Sequence, residues 1–140
     1  MDRFADPEND LLIRRYLNAF SSGDPEQVAA CVTEDFINQH LGMLGGGCTG
    51  RDAYLKRLGK FLTDFAALRY DVLETCAHES HGSARYLMHF RQGGAQFEVP
   101  GMMWFAFKDG AIAQRTDCWD GLVYLKQAGT SADDIAALLA

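Results

Sequence analysis

The sequence predicts a single α+β domain over residues 1–140, with a curved antiparallel β-sheet wrapped around N-terminal helices to form a cone. Three observations lead there. Apolar residues in the first half recur at helical spacing, whereas from Leu68 onward they alternate with period two. Turn-forming residues punctuate the second half at His81-Gly82-Ser83, Gln92-Gly93-Gly94 and Asp109-Gly110. Helices followed by a run of strands define the α+β class, and 140 residues suffice for one sizeable core without staples.

The elements follow in order. Asp6-Pro7 is a helix start, with Asp as cap and Pro at the first helical position. Ile13, Tyr16, Leu17 and Phe20 then mark one face of a helix over about 7–21, which Ser22-Gly23 ends. Asp24-Pro25 repeats the signal for a short helix over about 25–31. Phe36 to His40 is a short strand whose alternation groups Phe36, Asn38 and His40. Gly42 to Gly50 is a loop, and a long helix follows over about 51–66, striped by Tyr54, Leu55, Leu58, Phe61, Leu62 and Phe65. Strands are predicted at about 68–78, 84–92, 96–107 and 111–119, with a bulge or bend at Pro100-Gly101 that would exchange the faces of Met103 and Trp104. Leu122 to Gln127 suits a turn of helix, and Ser131 caps a C-terminal helix over about 132–139 that packs on the body or on a partner subunit.

Composition excludes several classes. Hydrophobic residues make up 48% and charged residues 23%, as in ordinary globular chains. The formal charge is −6 and the 13 Lys and Arg are scattered, so no basic stripe awaits a nucleic acid. No run of about 18 apolar residues would span a membrane, and the opening Met1 to Pro7 lacks a signal-peptide pattern. Cys31, Cys48, Cys76 and Cys118 form no CxxC pair and are expected to be buried or half-buried free thiols, pointing to the cytoplasm. Cys76-Ala-His78-Glu-Ser-His81 straddles a hairpin tip without zinc spacing. Gly45-Gly46-Gly47 lacks the Lys-Ser/Thr of a phosphate loop and reads as a mobile lip over a cavity mouth. No metal and no cofactor are expected.

The stretch Asp109 to Gly121 carries the chemistry. Alternation after the Asp109-Gly110 turn groups Ala113, Arg115, Asp117 and Trp119 on one face, and Gln114, Thr116 and Cys118 on the other. A bent sheet closed by helices leaves a hollow, the default place for a small ligand. Asp117 in an apolar hollow is pushed toward its protonated form, whereas Arg115 beside it holds it ionised. His40, with an ordinary pKa near 6.5, suits proton abstraction next to a carbonyl. Tyr16 on the first helix is either a core tyrosine with a partnered hydroxyl or a cavity group. Trp104 and Trp119 suit a wall or a dimer surface, Asp120 suits a cap, and His89 falls on the face away from Met88 and Phe90.

Ile13-Arg-Arg-Tyr16, Ser22-Gly-Asp24, Glu34 to His40, Thr49-Gly-Arg-Asp52 and Asp117-Cys-Trp-Asp120, in this order and spacing, resemble the nuclear transport factor 2-like superfamily. That superfamily includes ketosteroid isomerase, limonene epoxide hydrolase and the SnoaL-like polyketide cyclases. The resemblance implies a cystatin-like α+β barrel and a homodimer. It places Tyr16 where the isomerases keep the tyrosine that donates to an enolate oxygen. It places His40 where they keep an aspartate base and SnoaL-like chains often a histidine. The isomerases' second oxyanion donor falls near Met103 and is absent. Asp117 matches a catalytic aspartate of the epoxide hydrolase, but that enzyme's Arg-x-Asp pair falls on Met88 and Phe90. Asn38 and His40 stand where its water-holding Tyr and Asn belong. The SnoaL-like cyclases fit best, through Asp117.

Two functional expectations result. In the first, a cofactor-free cyclase or isomerase binds a small hydrophobic carbonyl compound among Met88, Phe90, Met103 and Phe105, with Arg115 and Trp119 on the same wall. His40 or Asp117 moves the proton, and Tyr16 and Asn38 steady the oxyanion. In the second, the chain is a non-catalytic ligand-binding or dimerisation module that pairs through Met102, Trp104 and Ala106.

Overall fold

A computed structural model describes residues 4–140, so the first three residues of the opening segment lie outside the described residues. Helix α1 (Pro7–Ala19) runs into a 3₁₀ turn (Phe20–Ser22), followed by α2 (Pro25–Ala29), β1 (Val32–His40), β2 (Cys48–Thr49) and α3 (Arg51–Asp64). Then come β3 (Ala66–Ala77), β4 (His81–Gln92), β5 (Ala95–Lys108), β6 (Ala111–Trp119), α4 (Gly121–Gln127) and α5 (Ala132–Leu138). The caps form as their residues require. Asp6 accepts the Asn9 N–H at 3.0 Å, Asp24 that of Glu26 at 3.0 Å and Asp120 that of Val123 at 3.1 Å. Asp109 and Gly110 both have positive φ, as the tight β5–β6 turn demands.

The six strands form one mixed sheet in the order β2-β1-β6-β5-β4-β3. The expected four-stranded meander is its larger part. The early strand is longer than its apolar residues suggest, and it pairs parallel with β6, with β2 outside it. The edge strands β2 and β3 do not pair with each other, so the cone is an open sheet rather than a closed barrel. Its concave face covers Leu12, Ile13, Tyr16, Leu17 and Phe20 of the first helix and turn, all buried, and Tyr54 and Leu58 of α3. Edge-to-face aromatic pairs knit the core, Phe20 on Tyr70 at 5.1 Å between the layers and Tyr70 on Tyr86 at 4.9 Å across neighbouring strands, each worth about 0.5–1.5 kcal/mol beyond area burial.

Several expectations are corrected. β4 and β5 pair without interruption through Leu87–Pro100 and Tyr86–Gly101, so no bulge falls there. Pro100 is tolerated because its carbonyl accepts the Asp120 N–H beyond the end of β6. A strand residue's N and O face the same side, so the missing N–H falls where no strand remains to receive it. The register shift lies instead opposite Ala106 and Phe107, where Ala113 is the extra residue of β6. Ile112, not Ala113, therefore takes the core side, while Arg115, Asp117 and Trp119 keep the inward parity expected of them. Met103 points in and Trp104 out. Cys31 is buried and Cys48 half-buried, but Cys76 and Cys118 are exposed. Helix α5 buries none of its residues. No helix among the described residues is long and apolar enough to cross a membrane.

Candidate functional site

Parallel pairing of β1 with β6 sets Asn38 beside Arg115 and His40 beside Asp117. Period-two alternation turns all four toward the helices, where they open onto a hollow of about 420 Å³, within the roughly 300–1,000 Å³ of small-molecule sites. Phe20, Tyr54, Leu58, Phe61, Phe65, Tyr70, Met88 and Trp119 supply most of the remaining wall. The mouth carries Leu44, Gly45, Gly46, Arg57, Lys60 and Asp64.

A polar network crosses this apolar chamber. Arg115, only 4% exposed, donates to Asp117 Oδ2 at 2.9 Å, to Asn38 Oδ1 at 2.9 Å and to the Met103 sulfur at 3.4 Å. Its guanidinium carbon lies 6.0 Å from the Phe20 ring centre, a cation–π contact. A guanidinium this far from water requires such partners, since a buried charge without them is strongly destabilising. The other carboxylate oxygen of Asp117 accepts the Tyr86 hydroxyl at 2.5 Å. Gly101 makes that reach possible, because a Cβ there would stand 2.3 Å from the Tyr86 oxygen.

His40 Nδ1 is buried, has no hydrogen-bond partner and lies 3.9 Å from Asp117 Oδ2. Burial first, and then the positive charge of Arg115, push its pKa down to about 4 against a smaller upward pull from Asp117, so the imidazole is neutral at physiological pH. Its ring is covered by the backbone of Gly45, where a Cβ would stand 2.7 Å from Cγ. The glycine loop does border the mouth, as expected of a lip, but it is tethered: Arg57 donates to the Gly46 carbonyl at 2.6 Å, and Cys48–Thr49 pair with β1. Burial also raises the hydroxyls of Tyr16, Tyr54, Tyr70 and Tyr86 above the usual phenol range, so they remain protonated donors. The buried Tyr70 hydroxyl lies within reach of the Arg115 guanidinium, without a well-aligned hydrogen bond.

Of the residues singled out in the sequence, Asn38, His40, Met88, Arg115, Asp117 and Trp119 line the hollow. Tyr16, Phe90, Met103 and Phe105 do not; they are buried in the layer behind it. Tyr16 turns its hydroxyl onto that of Tyr54, and it is Tyr54 that faces the hollow. Phe90 stacks on Phe97 at 4.8 Å, closing the far end of the core. His89 lies on the outer face, bound to Asp71 at 2.7 Å, as its parity requires. The Cys76–His81 tip is fastened to α1 by Asn9, which donates to the His78 and Glu79 carbonyls, and no metal-binding cluster occurs among the described residues. Tyr54, Tyr70, Tyr86 and Arg57 were missed. Tyr86 shares the strand parity of Met88, so alternation alone places it inward; nothing local indicates that it meets Asp117.

A curved sheet folded over three helices, with buried titratable groups facing one hollow, defines an α+β cone of the ketosteroid isomerase-like kind. The chain belongs to the SnoaL-like domain family, whose model matches residues 13–115, and so to the nuclear transport factor 2-like superfamily. Solved structures share the fold at low identity. A proposed polyketide cyclase from Xanthomonas campestris pv. campestris is 22% identical, with a TM-score of 0.75 over 86% of this chain and 96% of that one. A protein of ketosteroid isomerase-like fold from Catenulispora acidiphila, solved with trimethylamine, is 16% identical, with a TM-score of 0.79 over 87% and 95%. An epoxide hydrolase from M. tuberculosis, resembling limonene epoxide hydrolase, is 15% identical, with a TM-score of 0.76 over 93% and 96%. No curated protein matches the sequence.

Proposed function

We propose that the chain is a cofactor-independent acid–base enzyme of the isomerase or cyclase type, acting on a small hydrophobic carbonyl compound. One observation carries this reading: a neutral, unpartnered imidazole and a carboxylate, His40 and Asp117, face one largely apolar hollow. Asp117 beside Nδ1 favours the tautomer protonated there, which leaves the Nε2 lone pair to take a proton from the carbon next to the substrate carbonyl. Catalytic hydrogen bonds are often long before substrate binds, so 3.9 Å is compatible with this role. The enolate oxygen that results needs donors. Tyr54 and Tyr70, which face the hollow, replace Tyr16 in that role, because Tyr16 lies behind the wall and reaches the hollow only through its hydroxyl contact with Tyr54.

The test needs no knowledge of the natural substrate. Aromatic, polyketide-like and terpenoid ketones are screened for a rise in melting temperature, and hits are incubated in D₂O and followed by NMR for deuterium entry beside the carbonyl. Exchange that disappears in His40→Ala supports the reading. Binding without exchange overturns catalysis and leaves a small-ligand-binding module, whereas exchange unaffected by His40→Ala overturns His40 as the base.

A second reading rests on a separate surface. Met102 is 53% exposed and Trp104 40% exposed on the outer face of β5. Such an apolar seam suits a homodimer formed sheet to sheet. Sedimentation of the wild type and of Trp104→Glu tests it: a monomer in both refutes the pairing.

A further inference from the structure

We propose that Arg57 makes the hollow selective for carbonyl compounds that also carry a carboxylate a few bonds from the carbonyl, that is, for hydrophobic oxo acids. The inference rests on the reading of the hollow as a ligand site and adds a substrate class to it. Two of the three cations at the hollow are already neutralised, Arg115 by Asp117 at 2.9 Å and Lys60 by Asp64 at 2.5 Å. Arg57 has no ion-pair partner among the described residues. The lining therefore carries one uncompensated positive charge, in a chain whose formal charge is −6.

The Arg57 side chain is exposed at the rim of the hollow and tethered at one point. It donates one hydrogen bond to the Gly46 carbonyl at 2.6 Å, and a guanidinium has five donors in a planar fork. The unused ones can grip a carboxylate through two parallel bonds. The distance to the imidazole is set by the glycine loop. Gly45 lies against His40 and Gly46 against Arg57, and neighbouring Cα atoms are about 3.8 Å apart. The Arg57 charge contributes to the depressed proton affinity of His40, which is a second sign that the two groups are near each other. A ketone presented to His40 thus brings a carboxylate to Arg57 only if the two functions are separated by a short chain. The apolar remainder falls among Leu58, Phe61, Phe65 and Met88.

Matched probes test this: benzoylpropionic acid and its methyl ester, titrated by calorimetry into the wild type and Arg57→Gln at low salt. The acid is expected to bind the wild type about tenfold more tightly than the ester. Added salt shrinks the preference. In Arg57→Gln the preference disappears while the ester still binds, which also shows that the variant folds. Equal or better binding of the ester to the wild type overturns the oxo-acid inference and leaves the carbonyl site intact. So does an acid preference that survives in Arg57→Gln. If neither probe nor any ketone of the screen binds, the hollow is not a ligand site and both readings fall.

Discussion

Replacing His40 by Gln removes a titration in the hollow whose folded-state value lies well below its free value, about 4 against 6.5. Stability changes with pH in proportion to the protons bound by the unfolded chain minus those bound by the folded one. Between pH 6.5 and about 4 the unfolded imidazole carries a proton that the folded one refuses. The wild type therefore loses stability as pH falls through this window, and the loss is complete below about pH 4. Above 6.5 both states are neutral and His40 contributes no slope. At about 1.36 kcal/mol per unit, the gap from 6.5 to about 4 corresponds to about 3 kcal/mol. Carboxylates add their own acid dependence, but it is common to both proteins and cancels in the difference. The assay is urea denaturation of wild type and His40→Gln at pH 7 and pH 4. The wild type should lose about 3 kcal/mol more than the variant over that interval. A difference under about 1 kcal/mol, or an NMR titration of the His40 ring near 6.5, would refute the account of a desolvated imidazole beside Arg115. The same value fixes the shape of the exchange activity. With His40 as the base, exchange should stay level from neutral pH to about 5 and fall only as the ring protonates near 4.

Three further substitutions test the architecture around this group. Asp117→Ala strands the Arg115 guanidinium in the hollow and should cost about 3–5 kcal/mol in chemical denaturation; adding Arg115→Met should recover most of it, and no recovery would mean that the pair is not the source of the loss. Gly101→Ala brings a methyl group to 2.3 Å from the Tyr86 oxygen, so it should lower stability by about 1–3 kcal/mol; an unchanged melting temperature would show that Tyr86 does not lie across β5. Asp120→Ala removes the acceptor of the Val123 N–H and should cost about 1 kcal/mol, with faster amide exchange confined to α4; exchange spreading into the sheet would refute a purely local cap.

The readings that held are those whose physics is local. Asp-Pro pairs start α1 and α2 because proline's missing N–H and fixed φ suit the first helical turn. The β5–β6 turn forms because glycine accepts positive φ. Residues two apart on a strand share a face whatever surrounds them, so Asn38 with His40, and Arg115 with Asp117, were legible as inward pairs. The apolar stripe on the first helix and its terminal turn was legible from i, i+3, i+4 and i+7 spacing, and all its expected members are buried.

The misjudged features depend on contacts between segments far apart in the chain. Alternation marks which residues share a face but not which strand lies alongside, so the parallel pairing that sets His40 beside Asp117 exists only in the sheet. One extra residue at Ala113 exchanges faces for Ile112, a shift that shows only against β5. Tyr16 has the same sequence neighbours whether or not it reaches the hollow. The approach of α3 decides that Tyr54 takes its hydroxyl and the cavity wall. Tyr86 meets Asp117 because Gly101, fifteen residues further along the chain, has no side chain to block it. The sequence alone thus determined the helices, the five longer strands, their order, most of their inward faces and the family, but not the short β2 within the expected loop nor the face of Ile112. Register, depth and the proton affinity of His40 were decided by the tertiary structure, because desolvation and charge depend on what packs around a group and not on what precedes it in the chain.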